Sequence, residues 1–266
     1  MITLEDALKT DRCFSRSTLK TDYRMKPGPG IQPIKFYKDR FGGKYGVYRI
    51  VDCVPMRPLR PASEKQIEAG KKLVARSRMN SKRGQAALKA QAWITADALF
   101  LDSETTGLDG DDQVIEIALV DSHGQVLLDT RLRPNVPISF GAQNVHGICA
   151  ADLVDAPTWA EIAQKLRGLL EGRQVVAFNH AFDSRLLQQT AKAHGAESLP
   201  WDWSYTEHCA MDLAARAFGA TNRHGSISLA DAVDAAGIDW QGEAHSAAGD
   251  ARTTLALVKA IADFLL

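Results

Sequence analysis

Five side chains stand where their types and spacing could do chemistry on a phosphodiester. Asp102 and Glu104 lie two residues apart in FLDSETTGLD, residues 100–109. On a strand, residues two apart share a face, so both carboxylates project together from its carboxyl end. Carboxylates held within about 7 Å repel unless a cation lies between them. Alone, the pair fits a solvated strand end equally well. Asp183 lies in VAFNHAFDSRLL, residues 176–187, where a buried strand runs through Asn179 into the first turn of a helix. An Asp there also serves as dipole complement or cap. His245 and Asp250 belong to HSAAGDA, residues 245–251. Five helical positions turn through roughly 500°, so the two do not share a face of one regular helix. Asp250 is therefore expected on the last helix, with His245 in the loop before it, where a lone His is otherwise a solvent-exposed bystander.

Taken together, four acids and one His at the edges of core elements match the needs of two-metal phosphodiester hydrolysis. Oxygen donors suit hard cations, so two Mg²⁺ are expected, with Mn²⁺ as a substitute. Histidine titrates near neutrality and can take a proton from water.

The elements that must position these residues alternate as in an α/β domain from residue 98 onward. Ala98 to Leu101, Val114 to Val120 and Gln125 to Leu132 read as three consecutive antiparallel strands, the last two joined through Ser122, His123 and Gly124. Thr158 to Leu170 is a helix with Thr158 and Glu161 at capping-box spacing and Gly172 past its end. Val175 to Phe178 is a buried strand and Phe182 to His194 a helix stopped by Gly195. Helices over about Met211 to Phe218, Ser228 to Ala236 and Ala248 to Leu265 follow. Trp201, Trp203 and Tyr205 form either a platform for stacked bases or one sheet face packed on the core.

LDSETTG, VAFNHAFD and HSAAGD, with NVHGI at 144–148 between them, resemble in order the motifs of the DEDDh, or DnaQ-like, exonuclease family. The resemblance covers roughly residues 97–266. It implies a ribonuclease H-like mixed sheet flanked by helices, with Asp102, Glu104, Asp183 and Asp250 as metal ligands and His245 as general base. It further implies that Thr105, Thr106, Gly107 and Leu108 border the terminal nucleotide, with Leu108 as an apolar wedge. Asn179 and Phe182 would line the same cleft, and His146 would pack rather than catalyse. Ser103 occupies a variable position of its motif. His208 and Cys209 stand where many relatives have an Asp-Thr pair, so a different packing is expected there.

The zero net charge conceals a division. Residues 1–92 hold 21 Lys and Arg against 8 Asp and Glu, whereas the remainder holds 11 against 24, so the halves carry +13 and −13. A basic segment of this density suits a polyanion or an acidic partner protein. Within it, Thr3 to Thr10 and Ser17 to Arg24 read as helices and Met25 to Pro33 as a loop. Ile34 to Tyr37 and Lys44 to Val51 read as a hairpin across Phe41, Gly42 and Gly43, which together give a winged-helix-like plan. A helix capped by Ser63 and Gln66 then carries Lys71, Lys72, Arg76, Arg78, Lys82, Arg83 and Lys89, the first six offered to a nucleic-acid backbone, with Gly70 and Gly84 as candidate breaks. The expected organisation is a small basic α+β module over 1–62, a basic helical linker over 63–96 and the exonuclease domain over 97–266.

Four cysteines, Cys13, Cys53, Cys149 and Cys209, show no two-residue spacing, so reduced thiols are expected rather than a zinc knuckle or disulfides. No signal-peptide pattern and no apolar run of about 20 residues is present, which points to a cytoplasmic protein without a membrane span. The expected activity is removal of nucleoside 5′-monophosphates from single-stranded or frayed DNA 3′ ends. RNA 3′ ends are the alternative substrate, and a silent end-binding adaptor the alternative class. A second copy of the chain, or a polymerase or repair protein, is the expected kind of partner.

Overall fold

The computed structural model describes residues 2–40, 42–58, 61–196 and 202–265. The chain divides into two compact units, Met1–Glu68 and Ala69–Leu266.

The N-terminal unit contains α1 (Leu4–Lys9), β1 (Cys13–Ser15), α2 (Arg16–Asp22), β2 (Met25–Pro27), β3 (Lys35–Lys38), β4 (Lys44–Arg49) and β5 (Cys53–Pro55). Thr3 and Ser15 cap the two helices through their hydroxyls. The expected hairpin is β3 and β4, although Phe41 of its turn lies outside the described residues. The plan is richer than two helices and a hairpin. β1 joins the hairpin to give the order β1-β4-β3, and Met25–Pro27, read from sequence as loop, pairs with β5. Three-residue strands are too short to display the period-2 alternation that announces a strand. Ala7, Leu19, Met25, Tyr48, Ile50 and Cys53 form the core of this unit.

Next comes α3 (Glu64–Asn80), begun by the expected Ser63 and Gln66 capping box and without a buried residue. α4 (Lys82–Thr95) starts at Ser81, whose side chain accepts the Gly84 N–H, so the break falls at a cap rather than at Gly70. Gly84 is nevertheless required: a Cβ there would lie 2.1 Å from the Arg78 carbonyl oxygen at the corner between the helices. α4 is not linker. Ala86, Ala90 and Trp93 are buried and pack on the sheet domain, a stripe at helical spacing that the cations on the opposite face obscure in the sequence.

The sheet domain continues with β6 (Leu99–Thr105), β7 (Val114–Val120), β8 (Val126–Arg131), α5 (Phe140–His146), α6 (Trp159–Leu170), β9 (Gln174–Ala177), α7 (His180–Ala193), β10 (Thr206–Cys209), α8 (Ala210–Phe218), α9 (Leu229–Ala236) and α10 (Ala247–Ala262). The order is β10-β9-β6-β7-β8; β6, β7 and β8 form the expected antiparallel meander, and β9 and β10 run parallel to β6. Helices cover both faces, as in a ribonuclease H-like fold. Alternation along β6 sends Phe100 toward α4, α8 and α10, and Leu99 and Leu101 toward α6 and α7. Each such fully buried side chain contributes about 1.5–3 kcal/mol.

Trp203 takes the core alternative. It is buried and stacks on Trp159 with ring centres 6.3 Å apart, although it precedes β10 rather than lying on a strand. Trp201 lies outside the described residues. Among the described residues, no helix is long and apolar enough to cross a membrane.

Candidate active site

β6 is central in the sheet, and its carboxyl end delivers Asp102 and Glu104 to the face covered by α10. A bulge between Glu104 and Thr105 ends the regular register there. On α10, Asp250 occupies the first turn and turns back toward the strand. One carboxylate oxygen from each of Asp102, Glu104 and Asp250 lies within 4.8 Å of the others. Burial, with the neighbouring charges of Asp183, Asp250 and Glu104, pushes Asp102 well above the usual carboxylate range. Burial first, then Asp250, Glu116 and Asp183, lifts Glu104 to about 8. Three half-buried acids made this reluctant to ionise are a site that a divalent cation satisfies, and oxygen-only donors fit such an ion.

Asp183 lies outside the 4.8 Å group. It is buried in the first turn of α7, on the side of β6 that Ser103 faces, and its Oδ1 accepts the Ser103 hydroxyl at 2.7 Å. Its charge nonetheless adds to the upward shifts of Asp102 and Glu104.

His245 lies in the loop before α10 and is exposed. Its backbone has φ of 61°, and its N–H reaches Asp250 Oδ1 at 3.2 Å. The loop lies directly over Gly249, where a Cβ would approach the Glu243 carbonyl oxygen to 2.1 Å. The glycine of HSAAGD is therefore a packing requirement that brings His245 down onto the helix.

A cleft of about 330 Å³ adjoins the acids, lined by Glu104, Thr105, Leu108, Val145, His146 and Phe182 among others. Gly107 also borders it, and Leu108 is 74% exposed at its rim. Thr106 is fully buried, and its hydroxyl donates to Asp112 Oδ1 at 2.6 Å. Asn179 is the N-cap residue of α7 and is not among the cleft-lining residues. His146 lines the cleft and is anchored through both ring nitrogens. Its Nδ1 accepts the Ile148 N–H at 3.0 Å, so Nε2 carries the proton directed at the Thr105 carbonyl 3.1 Å away. Burial holds its pKa down, consistent with a neutral ring.

None of the cations offered to a phosphate backbone lines this cleft. Arg78 and Arg83 stack on the Phe264 ring beyond the far end of α10, with centroid distances of 4.6 and 4.3 Å. That end lies about 20 Å from Asp250 at 1.5 Å per helical residue. Lys71, Lys72 and Arg76 are exposed on α3, and Lys82 begins α4.

Two positioning contacts escape a reading of the sequence. Ser103 sits at a variable motif position yet holds Asp183. Glu116 faces Glu104 across the β6–β7 ladder; its Oε2 accepts the Ala247 N–H at 2.9 Å, and Arg131 pairs with its Oε1 at 3.4 Å. A lone carboxylate in the apolar run VIEIALV was the signal available, because a charge rarely enters a central strand without a partner.

A mixed sheet that brings acids from the first strand and the last helix together beside an apolar cleft defines a nuclease of the ribonuclease H-like class. Residues 99–258 match the RNase T family, described as an exonuclease, so the chain belongs to that family, the DEDDh or DnaQ-like 3′-to-5′ exonucleases. It is 49% identical to an uncharacterized protein of Salmonella typhimurium, pSLT049, over 122 residues, 46% of this chain and 88% of that one. It is 37% identical to the uncharacterized exonuclease CP81 of Escherichia phage 186 over 179 residues, 65% of this chain and 92% of the relative. A crystal structure of a full-length 3′-exonuclease shares the fold, with a TM-score of 0.51 and 16% identity over 62% of this chain and 60% of that one. Enzymes of this family use divalent metal ions.

Proposed function

We propose that the chain releases nucleoside 5′-monophosphates from single-stranded or frayed DNA 3′ ends, with Asp102, Glu104, Asp183 and Asp250 holding two Mg²⁺ for which Mn²⁺ substitutes. The observation that supports this most is the approach of Asp102, Glu104 and Asp250 to within 4.8 Å of one another, with Glu104 also lining the cleft. When bound, the paired cations would activate the attacking water and stabilise the leaving 3′ oxygen. His245 would serve as the general base, and the tether of its backbone N–H to Asp250 keeps it beside the acids. Leu108 and Phe182 grip the terminal base between apolar surfaces, which requires an unpaired end. Thr105 and Gly107 border the sugar, and Asn179 approaches the strand from the start of α7.

His245→Ala tests the assignment without disturbing an acid. Release of nucleotides is expected to fall at least about a hundredfold while the unfolding midpoint stays unchanged. Undiminished release would remove His245 from the mechanism. Parallel digestion of labelled DNA and RNA of one sequence decides the strand: faster DNA loss is expected, and faster RNA loss would overturn that choice.

A further inference from the structure

The acidic cleft leaves the aromatic and basic side chains of the N-terminal sheet unexplained. In its hairpin, Tyr37 faces Tyr45, Phe36 faces Gly46 and Lys38 faces Lys44. On one face Tyr37 and Tyr45 stack with centroids 6.0 Å apart, and Lys35 Nζ lies 5.2 Å from the Tyr37 ring. On the other, Phe36 is 63% exposed beside a groove of about 880 Å³ lined by Phe14, Arg16, Phe36, Lys44, Tyr45 and Tyr48 among others. Arg16 is held in place there, its Nε donating to the Tyr48 hydroxyl at 2.9 Å.

Tyr48 and Phe14 belong to or pack on the core of the unit and form the floor of the groove, but Phe36, Tyr37, Lys38, Lys44 and Tyr45 are exposed and take no part in that core. Like charges directly opposite on a sheet are destabilising, and an anion between Lys38 and Lys44 relieves that repulsion. Residues 1–68 carry 14 Lys and Arg against 8 Asp and Glu, so the charge of the unit favours a polyanion. Exposed rings interleaved with cations suit a polyanion whose units carry flat faces, and those faces are free only in an unpaired strand.

We propose that this groove is a second binding site, for single-stranded nucleic acid. Bases stack on Phe36, while Arg16, Lys38 and Lys44, which share its face or line the groove, take phosphates. The substrate class rests on the reading that the acidic cleft accepts a nucleic-acid end; the binding does not need that cleft to turn over.

The test compares the full-length chain with a Phe36→Ala, Lys44→Ala double variant in EDTA, using fluorescently labelled oligo(dT) and oligo(rU) of about 15 nucleotides, near the upper site size of one small module. For whichever strand the parent binds, Kd is expected to rise about tenfold or more in the variant. The salt slope is expected to fall by about one. Both side chains are exposed, so the unfolding midpoint should not move. Equal affinity of parent and variant overturns the proposal, as does a parent that binds neither strand, which would turn the groove over to a protein partner. Tight binding lost in the variant, with no Mg²⁺-dependent hydrolysis by the parent, supports this site and sinks the functional reading instead.

Discussion

Glu116 on β7 and Ala247 on α10 are joined by a 2.9 Å hydrogen bond from the Ala247 N–H to Glu116 Oε2, three residues before Asp250. The bond ties a central strand to a helix amide that has no partner within the helix, and so sets how close Asp250 comes to Glu104. Glu116→Ala is expected to lower kcat about tenfold or more with little change in KM for the strand, since losing a buried partner costs about 1–3 kcal/mol. Glu116→Gln keeps an acceptor and should restore most of the rate. Equal rates for the two variants in steady-state kinetics would show that the bond does not position Asp250.

Ser103 should matter to metal affinity although its side chain faces away from Asp102 and Glu104. Its hydroxyl orients Asp183, and loss of such an outer partner typically weakens metal binding about 10- to 100-fold. A Mn²⁺ titration of Ser103→Ala, read by calorimetry, is expected to show that weakening. Affinity equal to the parent's would remove Ser103 from the account.

The crowded acids predict how metal-free stability depends on pH. Glu104 ionises near 4.5 in an ordinary setting and near 8 in the fold, and Asp102 shifts in the same direction. Between those values the folded state binds more protons than the unfolded one, so stability is fully present below about 4.5 and falls as pH rises toward about 8. Thermal unfolding in EDTA is expected to move to lower temperature across that window, and Mg²⁺ to reverse the trend. A midpoint that rises with pH in EDTA would contradict the crowding.

Two glycines should respond oppositely to a methyl group. Gly249→Ala forces a Cβ against the Glu243 carbonyl and is expected to cost about 1–3 kcal/mol and most of the activity. Gly70→Ala, on exposed α3 with nothing within 4 Å of the added Cβ, is expected to stabilise by about 0.5–1 kcal/mol. Urea denaturation of both variants checks the pair, and loss of stability in each would contradict it.

The sheet domain was legible because its signals are long and local. The β6 to β8 meander, the Thr158 and Glu161 capping box and the strand entering α7 all appear as expected. That Asp102 and Glu104 share a face was legible because residues two apart on a strand project together; the pair alone left a solvated strand end equally open. What escaped depends on contacts across the fold: Glu116 reaches a helix 131 residues away, and Ser103 reaches Asp183 80 residues away. Asp183 illustrates the limit from the other side. Its place in the first turn of α7 was foreseen, but its seat on the side of β6 that Ser103 faces follows from α7 packing under Leu99 and Leu101, which no local pattern encodes. In the N-terminal unit the short strands β1, β2 and β5 carry too little periodicity to be read.

The most direct test is Mg²⁺-dependent digestion of a 5′-labelled single strand by the parent and by Asp102→Ala. The parent is expected to give a ladder of strands shortened from the 3′ end, lost on adding EDTA, while Asp102→Ala folds normally and leaves the strand intact. Equal ladders from both proteins would contradict the claim that the converging carboxylates do the chemistry.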